Sequence, residues 1–294
     1  MATSSQWVAG ARPRTLPAAV APVLLGTAAA HEVGGADPFR AVLALLVALA
    51  LQVGVNYAND YSDGVRGTDA TRVGPVRLVG QELAPPGAVK HAAFASFAVA
   101  GVLGLLLVAL AHSWWLLPLG ALAVLAAWRY TGGDNPYGYR GLGEVYVFVF
   151  FGLMATLGTL VTQAGRLTWF GVAGAVGVGL LASAILVANN LRDIPTDEGT
   201  GKRTLAVRLG DDRTRSLYAA LLAVAYVAAL VMGVIEPWAL LALLSVPVAW
   251  RLVARVRRGA VGRNLIPVLA GTGLLEVGYA ALVTLGVVVA AALR

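Results

Sequence analysis

From Phe39 to Asp63 the chain reads FRAVLALLVALALQVGVNYANDYSD. The first part is an apolar run broken only by Arg40, and the last part closes on Gln52, Asn56, Asn59, Asp60 and Asp63. An apolar stretch of this length crosses a bilayer as a helix, because a hydrocarbon core about 30 Å thick needs about 20 residues. Steps of three and four then put Gln52, Asn56, Asp60 and Asp63 on one helical face, so amides and carboxylates converge at one membrane surface.

The same arrangement returns later in the chain. Asn189, Asp193 and Asp197 are spaced at four and four, with Asn190 and Arg192 beside them, and Pro195 is expected to end the regular helix near Asp193. Both segments share the order Asn-x-x-x-Asp, with Asn56 and Asn189 133 positions apart. Each closes the second span of a four-span block, which is the pattern of an internal repeat.

Composition agrees with a membrane chain. Of 294 residues 59% are hydrophobic and 13% charged, with a mean hydropathy of +0.77. A soluble domain carries roughly 25% charged residues. Nine apolar spans are expected: Leu16 to Ala30, Phe39 to Asn59, Ala88 to Ala111, Trp114 to Tyr130, Glu144 to Gln163, Thr168 to Asn190, Thr214 to Val234, Pro237 to Ala254 and Leu265 to Leu293. They predict an all-α, polytopic bundle of nine transmembrane helices. It forms one domain over 1–294, made of two four-helix blocks, about 16–130 and 144–254, and a ninth helix. The first span is short and ends like a signal peptide at Ala28 to Ala30, but Arg12-Pro13-Arg14-Thr15 before it fits a retained cytoplasmic anchor.

Basic residues set the orientation. Of 22 Lys and Arg, only Arg40 and Arg166 lie in one set of loops and Arg294 is the last residue, so the remainder mark the cytoplasmic side. This predicts a cytoplasmic N-terminus and a site facing the cytoplasm. The net charge of +7 is spread over short loops rather than one polar face, which argues against nucleic acid as a partner.

Cysteine is absent, so thiolate chemistry is excluded, and the scatter of His31, His91 and His112 argues against a His-held metal or a Ser-His-Asp triad. Six of the 15 acidic residues, Asp60, Asp63, Asp69, Asp193, Asp197 and Glu198, gather at the two matching helix ends. They are either solvated helix ends pairing with arginines or carboxylates that share a cation. The gathering favours the second, with hard oxygen ligands suited to Mg²⁺ or Mn²⁺. Mg²⁺ takes one or two carboxylates and completes its shell with water and phosphate oxygens. The expected ligands are Asp60, Asp63, Asp69, Asp193 and Asp197, with Asn56 and Asn189.

Arg66, Arg72 and Arg77 follow the first cluster, and Lys202 and Arg203 follow the second, within reach of a diphosphate. The segment around Lys202 lacks the glycine spacing and preceding strand of a P-loop. The loop from Tyr130 to Glu144 carries Tyr137, Tyr139 and Arg140. The two tyrosines belong either to an aromatic belt or, with Arg140, to a cap that shields a carbocation. Glu276 lies inside the last span, where a carboxylate is either functional or protonated and hydrogen-bonded beside Tyr279.

On these residues the chain resembles the UbiA superfamily of membrane prenyltransferases. The first family motif is similar to Asn56 through Asp69, and the second to Asn189 through Asp197 continuing into Gly201-Lys202-Arg203-Thr204-Leu205. The branch acting on 1,4-dihydroxy-2-naphthoate is further suggested by Arg12 to Pro17, by Gly74-Pro75-Val76-Arg77-Leu78-Val79, and by Pro136 to Tyr139 with Gly141-Leu142-Gly143-Glu144. The resemblance implies nine helices around a central cavity open laterally to lipid, in a bacterial cytoplasmic membrane. It also implies Mg²⁺-dependent transfer of a polyprenyl chain from polyprenyl diphosphate to the naphthoate, with loss of CO₂, in menaquinone synthesis. Tyr130 then belongs to the diphosphate site. Members often carry Lys four residues after that tyrosine; here the position is Asp134, so Arg140 or Lys202 is expected to substitute.

A secondary transporter also shows repeats and polar residues in helices, but places them near the bilayer midplane. Here they sit at cytoplasmic helix ends, which favours an enzyme.

Overall fold

A computed structural model describes residues 2–67 and 76–294, so Asp69, Arg72, Gly74 and Pro75 lie outside the described residues. The described residues are helical, without a strand. The helices are α1 (Ser4–Gly10), α2 (Pro17–Glu32), α3 (Pro38–Val65), α4 (Pro86–Leu110), α5 (Leu117–Arg129), α6 (Gly143–Ala164), α7 (Trp169–Gly199), α8 (Leu205–Leu209), α9 (Asp211–Ile235), α10 (Pro237–Arg257) and α11 (Ile266–Leu293).

Seven of them, α3, α4, α6, α7, α9, α10 and the stretch ending in α11, are long and apolar enough to cross a membrane. The other two expected spans fold as shorter helices: α2 has 16 residues and α5 has 13, preceded by one 3-10 turn at Trp114–Leu116. Large apolar side chains such as Leu105, Leu122, Val227 and Leu274 stay exposed on the outer faces, as they do where the solvent is lipid.

Capping starts the long helices. Asp37 accepts from Phe39 N and Arg40 N, each at 3.0 Å, with Pro38 at the first position of α3, and Thr168 accepts from Gly171 N at the start of α7. Such caps satisfy amides that have no partner within the helix. At the far end of α7 the regular helix does not stop near Asp193, as Pro195 led one to expect; it runs through Pro195 to Gly199. A proline removes one ladder hydrogen bond, and here Thr196 Oγ1 adds one to Asp193 O at 2.9 Å while Thr200 Oγ1 adds another to Thr196 O at 3.0 Å. The extension carries Asp197 on the same continuous helix as Asn190.

The main core joins α2, α6, α7, α9 and α11 through Leu25, Leu160, Val178, Leu181, Leu222, Met232 and Val283. α7 is the central post and the most buried of the spans. It crosses α6 at van der Waals distance: a Cβ on Gly152 would lie 2.5 Å from Gly179 Cα, so only glycine permits this approach. Around that crossing, Phe148–Met154 forms a π turn within α6, which shifts its register ahead of the cavity wall.

A second cluster, Tyr57, Leu78, Val79, Val89 and Phe97, packs α3 and α4 against the segment before α4. Tyr218 bonds Thr272 Oγ1 at 2.7 Å, and Tyr279 donates to Ala225 O at 3.1 Å. The hydrogen bond expected beside Tyr279 for Glu276 does not form. Glu276 is fully buried, and neither carboxyl oxygen has a partner.

Candidate active site

One cavity of about 900 Å³ runs between α2, α3, α4, α5, α6, α7 and α11. Its walls over most of that length are apolar, from Val23, Val47, Leu51, Leu107, Phe150, Phe151 and Met154. Its polar end holds Asn56, Asn59 and Asp63 from α3, Asn189, Asn190 and Asp197 from α7, and the cations Arg12, Arg77, Arg192 and Lys202.

The two helices present matching faces. Asn56 and Asp63 are seven residues apart, as are Asn190 and Asp197, and all four line the cavity. Seven residues are two turns, about 10 Å along the axis. Each helix thus carries a carboxylate at the mouth and an amide two turns deeper. The expected Asn189 lines the cavity as well, and Asn190 beside it repeats the seven-residue spacing of Asn56 and Asp63.

Asp60 and Asp193, expected among the metal ligands, do not line the cavity. Asp60 is fully buried, and its two oxygens accept from Leu78 N at 2.7 Å and Val79 N at 3.1 Å. It fastens the segment that delivers Arg77. A Cβ on Gly64 would lie 2.5 Å from Val79 Cβ, so that segment lies directly on α3. Asp193 is gripped by Arg192 through two bonds of 2.7 Å, and the same guanidinium donates to Asn189 Oδ1 at 2.9 Å. Asn189 lines the cavity with its carbonyl oxygen already engaged.

Lys202 joins the two halves. It follows α7 in sequence, yet its Nζ lies 3.4 Å from Asp63 Oδ1 on α3 and 4.6 Å from the centre of the Tyr139 ring. The Tyr139 hydroxyl donates to the same Asp63 oxygen at 2.7 Å. Of the two residues expected to replace the lysine missing at Asp134, Lys202 lines the cavity, while Arg140 is exposed and outside it. Arg203 is likewise exposed and outside. Arg66 turns away from the cavity, donates to the carbonyls of Thr131 and Gly133, and lies 5.4 Å over the Tyr139 ring. It holds the loop that covers the site.

That loop forms an aromatic wall. Tyr130 meets Tyr137 edge-on with centroids 5.5 Å apart, Tyr137 stacks on Tyr146 at 3.7 Å, and Tyr146 stacks on Phe150 at 5.9 Å. The Tyr137 hydroxyl donates to Ala126 O at 2.9 Å, tying the loop to α5. Burial, followed by the neighbouring Tyr130 and Tyr146, pushes the Tyr137 phenol upward, so it stays a neutral donor.

From the sequence Arg12 was an anchor and part of a branch motif rather than a site residue, and Asn59 was given no role; both line the cavity. Arg12 has a left-handed backbone at φ 54°, a costly conformation for a non-glycine residue. Asn56 Nδ2 donates to Ala11 O at 2.8 Å and Thr15 Oγ1 at 2.9 Å, and Gln52 Nε2 reaches the same hydroxyl at 2.9 Å. These bonds hold the Arg12 turn against α3. The Asn59 carbonyl oxygen accepts from Thr131 Oγ1 at 2.8 Å.

The donor set fits a divalent cation bound together with a phosphate. It offers oxygen atoms only, and among the described residues no three of His, Cys, Asp and Glu form a cage. A cation held by Asp63 and Asp197 would complete its shell from substrate and water, as Mg²⁺ does.

The chain resembles known proteins along nearly its whole length. Residues 19–263 match the model of the UbiA prenyltransferase family. It is 56% identical over 280 residues to the 1,4-dihydroxy-2-naphthoate octaprenyltransferase of Mycobacterium tuberculosis, covering 95% of this chain and 96% of that protein. It is 43% identical over 222 residues to the enzyme of the same name from Escherichia coli, covering 74% and 72%. In fold it is similar to a UbiA homolog from Archaeoglobus fulgidus bound to DMAPP and Mg²⁺, with a TM-score of 0.68, 17% identity and coverage of 97% and 99%. It is similar also to the apo UbiA homolog from Aeropyrum pernix K1, with a TM-score of 0.71, 16% identity and coverage of 92% and 97%. An all-helical fold, a cavity polar at one end and apolar along its length, and these similarities lead to one statement: the chain belongs to the UbiA prenyltransferase family.

Proposed function

We propose that this protein transfers a polyprenyl chain from polyprenyl diphosphate to 1,4-dihydroxy-2-naphthoate, with release of diphosphate and CO₂, using Mg²⁺ or Mn²⁺. The observation that carries the reading is the joining of the two helix ends: Lys202 and Asp63 meet at 3.4 Å at the head of a cavity whose remaining walls are apolar. A lipid with a charged diphosphate head fits that division. The acceptor assignment rests on relatives named 1,4-dihydroxy-2-naphthoate octaprenyltransferase at 54–56% identity over 95% of the chain.

In this mechanism Asp63 and Asp197 would hold the cation, and Asn56 and Asn189 help to orient the polar end. A bound divalent cation supplies positive charge to the leaving diphosphate. Lys202, Arg77 and Arg12 add hydrogen bonds to its oxygens as the allylic C–O bond breaks, which stabilises the charge that develops there. The Tyr130 ring, which lines the cavity, presents negative potential to the allylic cation. The apolar walls keep out water that would capture it. The electron-rich ring of the acceptor then attacks the cation carbon, and the carboxylate leaves as CO₂, returning its bonding pair to the ring, so that aromaticity is restored with no net loss of a further proton. Nine membrane helices with a cytoplasmic N-terminus belong to the same reading, with α2 and α5 as the two short spans, so the diphosphate is met from the cytoplasm. Incubating purified protein with a polyprenyl diphosphate, Mg²⁺ and the naphthoate, and weighing the product, tests it; a prenylated product lacking the carboxylate is expected.

A further inference from the structure

Glu144 stands in the first turn of α6, behind the cavity wall rather than on it. Its Oε1 accepts from Asn190 Nδ2 at 2.9 Å, and its backbone carbonyl accepts from Ser183 Oγ at 3.2 Å. Glu144 is 7% and Asn190 6% exposed. The other carboxyl oxygen, Oε2, is buried without a partner. A buried half-satisfied carboxylate is costly, and its one engaged oxygen is spent on a single amide.

That bond fixes which way the amide points. The oxygen and nitrogen of an asparagine are distinguished by their partners. Whether ionised or protonated on its unpartnered Oε2, Glu144 offers Oε1 as an acceptor, so Nδ2 faces Glu144 and Oδ1 faces the other way. Asn190 lines the cavity, and among the described residues no donor reaches its Oδ1. Its neighbours on that wall are engaged: Asn189 Oδ1 accepts from Arg192, and Asn59 Oδ1 accepts from Thr131. The aromatic wall lies alongside. A Cβ on Gly143, the residue before Glu144, would meet Leu186, one turn before Asn190, at 3.1 Å and the Tyr130 ring at 3.4 Å.

From this geometry we infer that Glu144 is a positioning residue for the aromatic acceptor: it turns Asn190 Oδ1 into the cavity, where that oxygen accepts a hydrogen bond from an acceptor hydroxyl while the ring lies against the tyrosine wall. The inference rests on the prenyltransferase reading and deepens it. The bond strengthens during reaction, because a phenolic hydroxyl becomes more acidic as its ring gives electrons to the allylic cation, so it assists the chemical step as well as binding.

The test is steady-state kinetics in both substrates. Glu144→Gln keeps shape and removes the acceptor-only constraint, so the Asn190 amide is free to turn its nitrogen to the cavity. Expected is a rise of about tenfold or more in KM for the acceptor with a lower kcat, while KM for the prenyl diphosphate stays within about twofold of wild type. Combining Glu144→Gln with Asn190→Asp reverses donor and acceptor between the partners and again presents an oxygen to the cavity, so acceptor KM recovers most of the loss. Asn190→Ser, which leaves Glu144 intact, gives the same acceptor-side loss, so the result does not hang on one variant folding. Unchanged acceptor KM in Glu144→Gln, an equal rise in both KM values, or no recovery in the double variant would overturn the assignment of Glu144 while leaving wild-type transfer intact. Wild-type protein that prenylates no aromatic acid would instead remove the reading on which the assignment rests.

Discussion

Lys202 Nζ lies 3.4 Å from Asp63 Oδ1, although 139 positions separate the two residues in the chain. Both side chains are buried, at 7% and 3% exposure, and the Tyr139 hydroxyl shares the same oxygen. A buried pair of this kind gives little net stability, since desolvation opposes the attraction. Its use is to hold a cation and an anion side by side at the place where a diphosphate and its metal must meet.

Removing the lysine therefore affects turnover more than folding. Lys202→Ala is expected to lower kcat by about 10²-fold, the usual cost of losing one donor to developing negative charge. Lys202→Arg is expected to recover only part of this, because the fork does not replace a point charge in the same space. Turnover with the naphthoate measures both; wild-type kcat in Lys202→Ala would remove it from the diphosphate site.

Asp60 and Asp63 should separate in their effects. Asp63→Asn and Asp197→Asn are each expected to lower kcat by about 10²-fold or more with the thermal midpoint nearly unchanged. Asp60→Ala strands the buried amides of Leu78 and Val79, at about 1–3 kcal/mol for each unsatisfied group, so it is expected to lower the midpoint and to weaken activity through the displaced Arg77 segment. Thermal unfolding in detergent with parallel rates checks the division. An Asp60→Ala protein of wild-type stability and no activity would place Asp60 at the metal instead.

Chelation should abolish activity, and Mg²⁺ or Mn²⁺ should restore it, because the site offers oxygen ligands alone. Full turnover in excess chelator would contradict the metal role of Asp63 and Asp197.

Topology is accessible to labelling, since the chain has no cysteine of its own. Single cysteines at Gly67 and Thr200 are expected to react from the cytoplasmic side, and those at His112 and Gly165 from the opposite side. Reaction of Gly67→Cys and His112→Cys from one face would contradict nine crossings.

Much of the fold was legible in the sequence because lipid imposes one rule: apolar runs of about 20 residues must be helices. The two helix ends were legible in part: Asn56, Asp63, Asn189 and Asp197 line one cavity, while Asp60 and Asp193 are taken up by structural bonds. What the sequence did not carry was which face of each end meets the cavity. Asn189 and Asn190 are adjacent and both line the cavity, but spacing singled out only the first; the packing of α6 against α7 adds the second and pairs it with Glu144. Asp60 and Asp63 share a face by spacing, but the return of the chain at Leu78 and Val79 claims Asp60. Arg140 and Lys202 were equal candidates, and only the loop geometry places one inside. The continuation of α7 through Pro195 was hidden because proline usually ends a helix, and here only one bond is lost.

The central claim is the transfer itself, and the direct measurement is a competition. Purified protein is given a polyprenyl diphosphate, Mg²⁺, and equal concentrations of 1,4-dihydroxy-2-naphthoate and 4-hydroxybenzoate, and the products are identified by mass. A two-ring acid covers more of the Tyr130, Tyr137 and Tyr146 wall than a single ring does. The expected result is a prenylated naphthalene product that has lost CO₂, with the benzoate reacting much more slowly. Preferential prenylation of 4-hydroxybenzoate, or a product that keeps the naphthoate carboxylate, would contradict the acceptor assignment, and the absence of any prenylated product would contradict the transfer.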